Sequence, residues 1–206
     1  MKLAVFDFDS TLMDGETLEF FAREIGIERE IKDITDKAMR GEIDFFESLN
    51  KRVSLLKGLS VDVINDICSK LPVMNGAETT IKTLKNKGYT VVCFSGGFKN
   101  ATVPFVEKYG LDCEFSNILH SKDGLLTGLV GGEMMFSDSK GQILQRLQRI
   151  MKITPSDTLV VGDGANDLSM FKFADKRVAF CAKPILKERA NIVIDNKNLS
   201  ELLNYL

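Results

Sequence analysis

Apolar residues fall along this chain in two rhythms, and the change of rhythm divides it. Four short segments carry unbroken apolar runs: KLAVFDF at 2–8, YTVVCFS at 89–95, TLVVGD at 158–163 and RVAFC at 177–181. Runs without polar alternation mark strands covered on both faces, as in a parallel sheet. Between them, apolar positions recur at helical spacing. In GAETTIKTLKNKG (76–88) Ile81 and Leu84 share one side and Gly88 stands as the C-terminal cap. In KGQILQRLQRIMK (140–152) the stripe is Ile143, Leu144, Leu147, Ile150 and Met151. Strands alternating with helices predict an α/β fold, a doubly wound, mostly parallel, Rossmann-like sheet with right-handed crossovers.

Between residues 13 and 71 the strand rhythm is missing. GETLEFFAREIG, EREIKDITDKAMRG, DFFESLNKRVSLLKG and SVDVINDICSKL read as four amphipathic helices. Gly26, Gly41 and Gly58 close three of them, and Asp44 and Ser60 suit N-caps. The sheet pattern resumes after Pro72. The expected organisation is a core of residues 1–12 and 74–206 with an inserted helical-bundle cap of 13–73, hinged near 11–15 and 71–76. A smaller insertion, SKDGLLTGLVGGE at 121–133, has glycines spaced for a β-hairpin flap.

Composition narrows the function. The 206 residues are 44% apolar and 27% charged, as in globular domains. With 27 basic against 29 acidic residues the net charge is −2, which gives no electrostatic case for nucleic acid or an anionic membrane. Cys68, Cys93, Cys113 and Cys181 are scattered without a C-x-x-C pair, which suits buried thiols in a reducing compartment rather than a zinc site. There is no signal-type stretch and no run of transmembrane length, so the expectation is a cytoplasmic protein.

In open α/β sheets the active crevice lies beyond the carboxyl ends of the strands. There the first predicted strand presents Asp7 and Asp9, the second Ser95-Gly96-Gly97, and the third Gly162-Asp163-Gly164 followed by Asn166 and Asp167. Lys140 opens the helix before the third strand. Each has a plain reading alone: aspartates often end strands, Ser-Gly-Gly is an ordinary turn, and Lys140 is a helix-start lysine set unfavourably against the dipole. Taken together, clustered carboxylates need a compensating cation, and all-oxygen ligation suits Mg²⁺. Glycine amides and a hydroxyl make an anion nest. Neither the P-loop nor the G-x-G-x-x-G spacing is present.

The motifs DFDST, SGG, a lone downstream lysine and GDGAND resemble, in order, the four motifs of the haloacid-dehalogenase-like phosphohydrolases. FDFDSTLMDGET, KRVSLLKGL, SGGF, GDGANDLSMF and FCAKPILKERA are similar to the branch of that family that hydrolyses phosphoserine, and together they span essentially the whole chain. The resemblance implies that Asp7 is the nucleophile and forms an aspartyl-phosphate, and that Asp9 protonates the leaving oxygen and then activates water. Strand residues i and i+2 point the same way, so both carboxylates would flank one phosphoryl group. It further implies Mg²⁺ held by Asp7, Asp163 and the carbonyl of Asp9. Ser95, the Gly96 amide and Lys140 would bind the transferring oxygens, supported by Asn166 and Asp167.

By the same resemblance the substrate is a small molecule, O-phospho-L-serine, hydrolysed in the last step of serine biosynthesis by a monomer or homodimer. Glu16 would take its ammonium and Arg52 its carboxylate, with Met39 and Phe45 as apolar walls and Gly97 nearby. On residue type alone Glu16 is a first-turn acid, Arg52 a surface arginine, and Met39 and Phe45 cap core. The lone histidine, His120, reads as structural, and Lys99 departs from the acidic residue expected after SGGF. The alternatives are another phosphomonoesterase or a phosphoserine:homoserine phosphotransferase on the same scaffold, and, further off, a phosphoacceptor signalling domain.

Overall fold

The computed structural model describes residues 1–39 and 42–206, and of Met39 only the backbone. Strand β1 (Lys2–Asp7) is central, with Leu3, Ala4, Val5 and Phe6 all 0% exposed. Its pleat sends Ala4 and Phe6 into one hydrophobic core and Leu3 and Val5 into the other. That double coverage is why the run carries no polar alternation.

The chain then forms α1 (Thr17–Ile25), α2 (Glu28–Met39), α3 (Phe45–Ser54), α4 (Val61–Ser69) and α5 (Ala77–Asn86). Next come β2 (Tyr89–Phe98), α6 (Lys99–Tyr109), β3 (Cys113–Lys122), β4 (Leu125–Gly132) and α7 (Ser139–Met151). It ends with β5 (Thr158–Gly162), α8 (Leu168–Phe171), β6 (Lys176–Phe180), α9 (Pro184–Lys187), β7 (Ile192–Ile194) and a final 3₁₀ stretch. The sheet order is β4-β3-β2-β1-β5-β6-β7, parallel throughout except for the antiparallel β3–β4 pair. Strand order reverses at β1, so the switch-point crevice opens at the carboxyl ends of β1, β2 and β5. No helix among the described residues is long and apolar enough to cross a membrane.

All four predicted strands are present, with ends shifted by up to three residues. Two further strands, β3 before residue 121 and β7, escaped prediction. β3 alternates buried Asn117 and Leu119 with exposed Ile118 and His120 and buries the polar Ser116, so it never shows a continuous apolar run. β7 is only three residues long. The β-hairpin expected at 121–133 is present as the end of β3, its turn and β4, and it forms an antiparallel edge that continues the sheet. Helix α6 was hidden by Pro104 in its interior.

The insertion holds four helices, as its periodicity indicated. Asp44 caps α3 by accepting Glu47 N at 2.8 Å, Ser60 caps α4 by accepting Asp62 N at 3.2 Å, and Gly26 ends α1 at φ 69°. The reading of Gly41 as a helix terminator lies outside the described residues. Gly58 does not end a helix, because α3 stops at Ser54. Its segment pairs with the sheet edge instead: Gly58 N donates to Leu126 O at 2.8 Å, Leu126 N to Leu59 O at 2.7 Å and Val61 N to Gly124 O at 2.9 Å. This covers an edge that would otherwise template further pairing. The two connecting segments run side by side, with Asp14 N on Pro72 O at 2.8 Å and Met74 N on Leu12 O at 3.0 Å. Phe21 of α1 stacks on Phe98 of β2 at 6.0 Å, both 0% exposed. Truncating such a buried ring costs about 3–5 kcal/mol.

Candidate active site

Strand β1 stops at Asp7, so the pleat does not set the direction of Asp9. This corrects the i, i+2 expectation. The chain turns after Phe8, with Ser10 at φ 57°, and hydrogen bonds aim the second carboxylate instead. Oδ1 of Asp9 accepts the backbone N–H of Thr17 at 2.8 Å and its hydroxyl at 2.6 Å. Asp7, 3% exposed, has the same one-sided pattern: its Oδ1 receives Phe8 N at 2.7 Å and the Lys140 ammonium at 2.6 Å. No hydrogen bond to Oδ2 of either residue is seen among the described residues. Each carboxylate thus keeps one oxygen for chemistry.

Lys140 also donates to Oδ1 of Asp167 at 2.6 Å, while Oδ2 of Asp167 accepts Asp163 N and Gly164 N at 3.0 Å each. Two glycines permit this packing. A Cβ on Gly162 would lie 2.3 Å from Cγ of Asp167, and one on Gly141 would lie 2.6 Å from the carbonyl oxygen of Ser169. Both contacts are far inside van der Waals range, so only a bare α-carbon lets α7 and the loop after β5 close on one another.

One ammonium here pairs with two carboxylates, Asp7 and Asp167, and its charge also reaches Asp163. Burial draws the Lys140 pKa down, but the charges of Asp167 and then Asp7 outweigh it, and it ends above an ordinary lysine. Burial, then the charge of Asp167, holds the Asp7 carboxyl well above the usual range, with Lys140 opposing. Both partners of one ion pair are raised because the lysine has ample anionic company while Asp7 lacks enough cationic company. Burial and Asp167 likewise push Asp163 up to about 6. Ligand oxygens of Asp7, Asp163 and Asp167 lie within 4.8 Å of one another. Both oxygens of Asp167 are already engaged, whereas Oδ2 of Asp7 and the Asp163 carboxylate remain open. A charge deficit beside two open carboxylates fits a hard divalent cation such as Mg²⁺.

These groups border a cavity of about 350 Å³ lined by Asp7, Asp9, Glu16, Phe45, Arg52, Gly96, Gly97, Asp163 and Asn166. Ser95, Lys140 and Asp167 stand behind its wall, at 0%, 3% and 0% exposure. Ser95 Oγ accepts Gly97 N at 2.9 Å, so that amide is not free to nest an anion, while the serine's own hydroxyl hydrogen remains to donate. Gly96 faces Phe45, whose Cζ would lie 3.2 Å from an added Cβ. The side chain of Met39, expected as an apolar wall, lies outside the described residues. His120 hydrogen-bonds Thr127 at 2.8 Å on the β3–β4 hairpin, and Lys99 ion-pairs with Glu114 at 2.8 Å.

Glu16 is an exposed residue, yet its carboxyl turns into the cavity. Loss of water there, then the charge of Asp9, push it up to about 8. Burial lowers Arg52 and the charges of Glu16 and Asp9 counter it. Among the cavity residues that the sequence reading did not single out are Thr17, Ser137 and Lys183. Thr17 had one available signal, a hydroxyl residue opening the first insert helix just after the acidic motif. Lys183 lay in the stretch FCAKPILKERA, just past a predicted strand end, whereas Ser137 had no signal, since only the fold brings its loop to the crevice.

A doubly wound sheet with two aspartates at the end of its central strand, a buried lysine and a second pair of aspartates after β5 defines a class. The chain belongs to the haloacid dehalogenase-like hydrolase family, which matches residues 1–175. Its full-length relatives there are phosphoserine phosphatases. It is 58% identical over 206 residues to the one from Wolinella succinogenes, covering 100% of both chains. It is 51% identical over 205 residues to that of Methanocaldococcus jannaschii, covering 100% of this chain and 97% of the relative. Among solved structures, a substrate-bound phosphoserine phosphatase and a phospho-aspartyl intermediate analogue of phosphoserine phosphatase each superpose with a TM-score of 0.94 at 51% identity, covering 100% of this chain and 98% of the other.

Proposed function

We propose that this chain hydrolyses O-phospho-L-serine to L-serine and phosphate through phosphorylated Asp7. The observation that carries the reading is the composition of one cavity. Two half-engaged aspartates face it, and Glu16 and Arg52 line the same space. A carboxylate and a guanidinium beside a phosphoryl-transfer pair complement a phosphate ester that bears both an ammonium and a carboxylate. A signalling phosphoacceptor needs neither a substrate cavity nor a second aspartate with a free oxygen.

The residues act in two half-reactions. The Asp7 carboxylate attacks phosphorus as the serine oxygen leaves, and Asp9, whose carboxyl burial raises above the usual range against the opposing bonds from Thr17, gives that oxygen its proton. L-Serine then departs. Asp9, now a carboxylate, takes a proton from water, whose oxygen attacks phosphorus and breaks the bond to Asp7. Lys140 and the Ser95 hydroxyl hold negative charge developing on the phosphoryl oxygens from fixed, water-free positions. Asn166 faces the same space and supports the leaving phosphate. Asp7, Asp163 and the Asp9 carbonyl would hold Mg²⁺, with Asp167 behind them orienting Lys140 and the loop amides. When bound, Mg²⁺ offsets the charge between an anionic nucleophile and an anionic phosphate.

Residues 13–73 act as the specificity cap over a core of 1–12 and 74–206. Glu16 and Arg52 read the amino-acid end, and Phe45, Met39 and Gly97 shape the walls. Four free cysteines suit a reducing compartment.

The test is phosphate release from L-phosphoserine with Mg²⁺, run beside EDTA, Asp7→Asn and a panel of sugar phosphates and nucleotides. Fast, metal-dependent release that favours phosphoserine and disappears in Asp7→Asn is expected. Equal weak release across the panel would overturn the substrate assignment, and undiminished activity in Asp7→Asn would overturn the mechanism.

A further inference from the structure

The loop after β1 turns back on itself. Ser10 N donates to the Gly15 carbonyl and Ser10 Oγ to Oε1 of Glu16, both at 2.9 Å. Oδ1 of Asp9 receives the amide of Thr17 at 2.8 Å and its hydroxyl at 2.6 Å. Two consecutive residues beside the nucleophile, Asp9 and Ser10, are thereby bonded to two consecutive residues at the start of the helical insertion, Glu16 and Thr17.

Thr17 is 1% exposed and is the first residue of α1. Its amide is one of the donors that a helix N-terminus leaves without an internal partner, and its hydroxyl is sheltered from competing water. With Oδ1 taken, Asp9 presents Oδ2 over Gly97, where an added side-chain carbon would lie 3.1 Å from it. Gly97 therefore serves by leaving space, since its backbone is not in the left-handed region.

We propose that Thr17 is the positioning residue of Asp9 and that, through its neighbour Glu16, it couples recognition of the substrate's ammonium to placement of the leaving-group acid. The inference rests on the phosphoserine reading and deepens it. An ammonium bound at Glu16 holds the first turn of α1 against the core, and that turn holds Asp9. A phosphate ester without the amino group fills the phosphoryl site but leaves residues 10–17 without this tie. Discrimination then falls on the chemical step as well as on binding.

The experiment compares kcat/KM for wild type, Thr17→Val and Thr17→Ser on three substrates. Valine keeps the amide and the shape but loses the hydroxyl; serine keeps both donors. The substrates are L-phosphoserine, 3-phosphooxypropanoate (phosphoserine without its amino group) and p-nitrophenyl phosphate. This ratio covers the steps through departure of the leaving group, and nitrophenolate departs without needing a proton.

Thr17→Val is expected to lose at least about tenfold on phosphoserine, within the range general-acid catalysis supplies. It should lose less on 3-phosphooxypropanoate and little on p-nitrophenyl phosphate, while Thr17→Ser restores the phosphoserine rate. Thermal unfolding shows whether each variant is folded. Equal losses on phosphoserine and p-nitrophenyl phosphate, or no loss on phosphoserine, overturn the positioning role. Equal losses on phosphoserine and its deamino analogue overturn the link to Glu16. A wild-type enzyme that hydrolyses p-nitrophenyl phosphate but not phosphoserine overturns the substrate assignment and this coupling with it, an outcome the variants do not produce.

Discussion

The ammonium of Lys140 lies 2.6 Å from Oδ1 of Asp167, at a point where Lys140 is 3% exposed and Asp167 0%. Because the same ammonium reaches Asp7 at 2.6 Å, one buried cation ties the loop after β5 to the end of β1. Stability and the proposed catalysis share this contact.

Removing that cation leaves two buried carboxylates unpaired. Lys140→Met is expected to destabilise the metal-free protein at pH 7 by about 3–5 kcal/mol. Urea unfolding measures this, and the deficit should shrink on acidification as the carboxyls take up protons. Phosphoserine turnover in the folded variant should fall by at least about 10²-fold.

The acidic cluster makes the metal-free protein pH-sensitive in a definite direction. Asp163, raised to about 6, binds its proton more tightly folded than unfolded. Its contribution therefore falls as pH rises from about 4 to about 6, the reverse of an ordinary paired aspartate. In EDTA, Asp163→Asn should match wild type near pH 4 and exceed it at pH 7 by roughly 3 kcal/mol, one pKa unit being about 1.4 kcal/mol. Added Mg²⁺ should raise the wild-type melting temperature at pH 7 and leave the variant nearly unmoved. Calorimetry across that range checks both.

Glu16 binds an ammonium only as a carboxylate, and its pKa lies near 8. The KM for phosphoserine should thus fall as pH rises toward 8, with solvent at the cavity mouth softening the slope. Glu16→Gln should flatten this profile and raise KM by about 10- to 100-fold, the worth of a charge-assisted hydrogen bond. Arg52→Leu should raise KM similarly, yet leave it little changed for phosphoethanolamine, which lacks the carboxylate. Steady-state kinetics on the two substrates separates the two residues.

Gly162→Ala tests the packing behind the site. Its new carbon would stand 2.3 Å from Cγ of Asp167, which has no room to retreat at 0% exposure. A loss of about 3 kcal/mol is expected, at the upper end for overpacking, together with weakened Mg²⁺ affinity as Asp167 and the Asp163 loop shift. Unfolding and metal titration report the two effects.

The legible parts of this protein are the ones written locally. β1, β2, β5 and β6 declare themselves through apolar runs because both their faces are covered, and Asp7, Asp9, Asp163 and Lys140 stand out as polar residues at the ends of such elements. β3 and β4 did not, since an edge pair with one exposed face has no such run, and Pro104 masked α6. Glu16 and Arg52 carry no local mark at all. Only the resemblance to a family singled them out from other charged helix residues.

Periodicity and strand-end chemistry depend on near neighbours, so the sequence by itself determined the α/β layering, the helical insertion and the set of reactive side chains. Tertiary structure alone decided which oxygen of Asp7 and of Asp9 stays free, that Lys140 is shared between Asp7 and Asp167, and that Thr17 steers the second aspartate. Those outcomes are contacts between groups distant in the chain, 27 residues apart for Lys140 and Asp167 and farther still for Lys140 and Asp7. They arise when distant segments close on glycines too small to hold them apart, which no local pattern records.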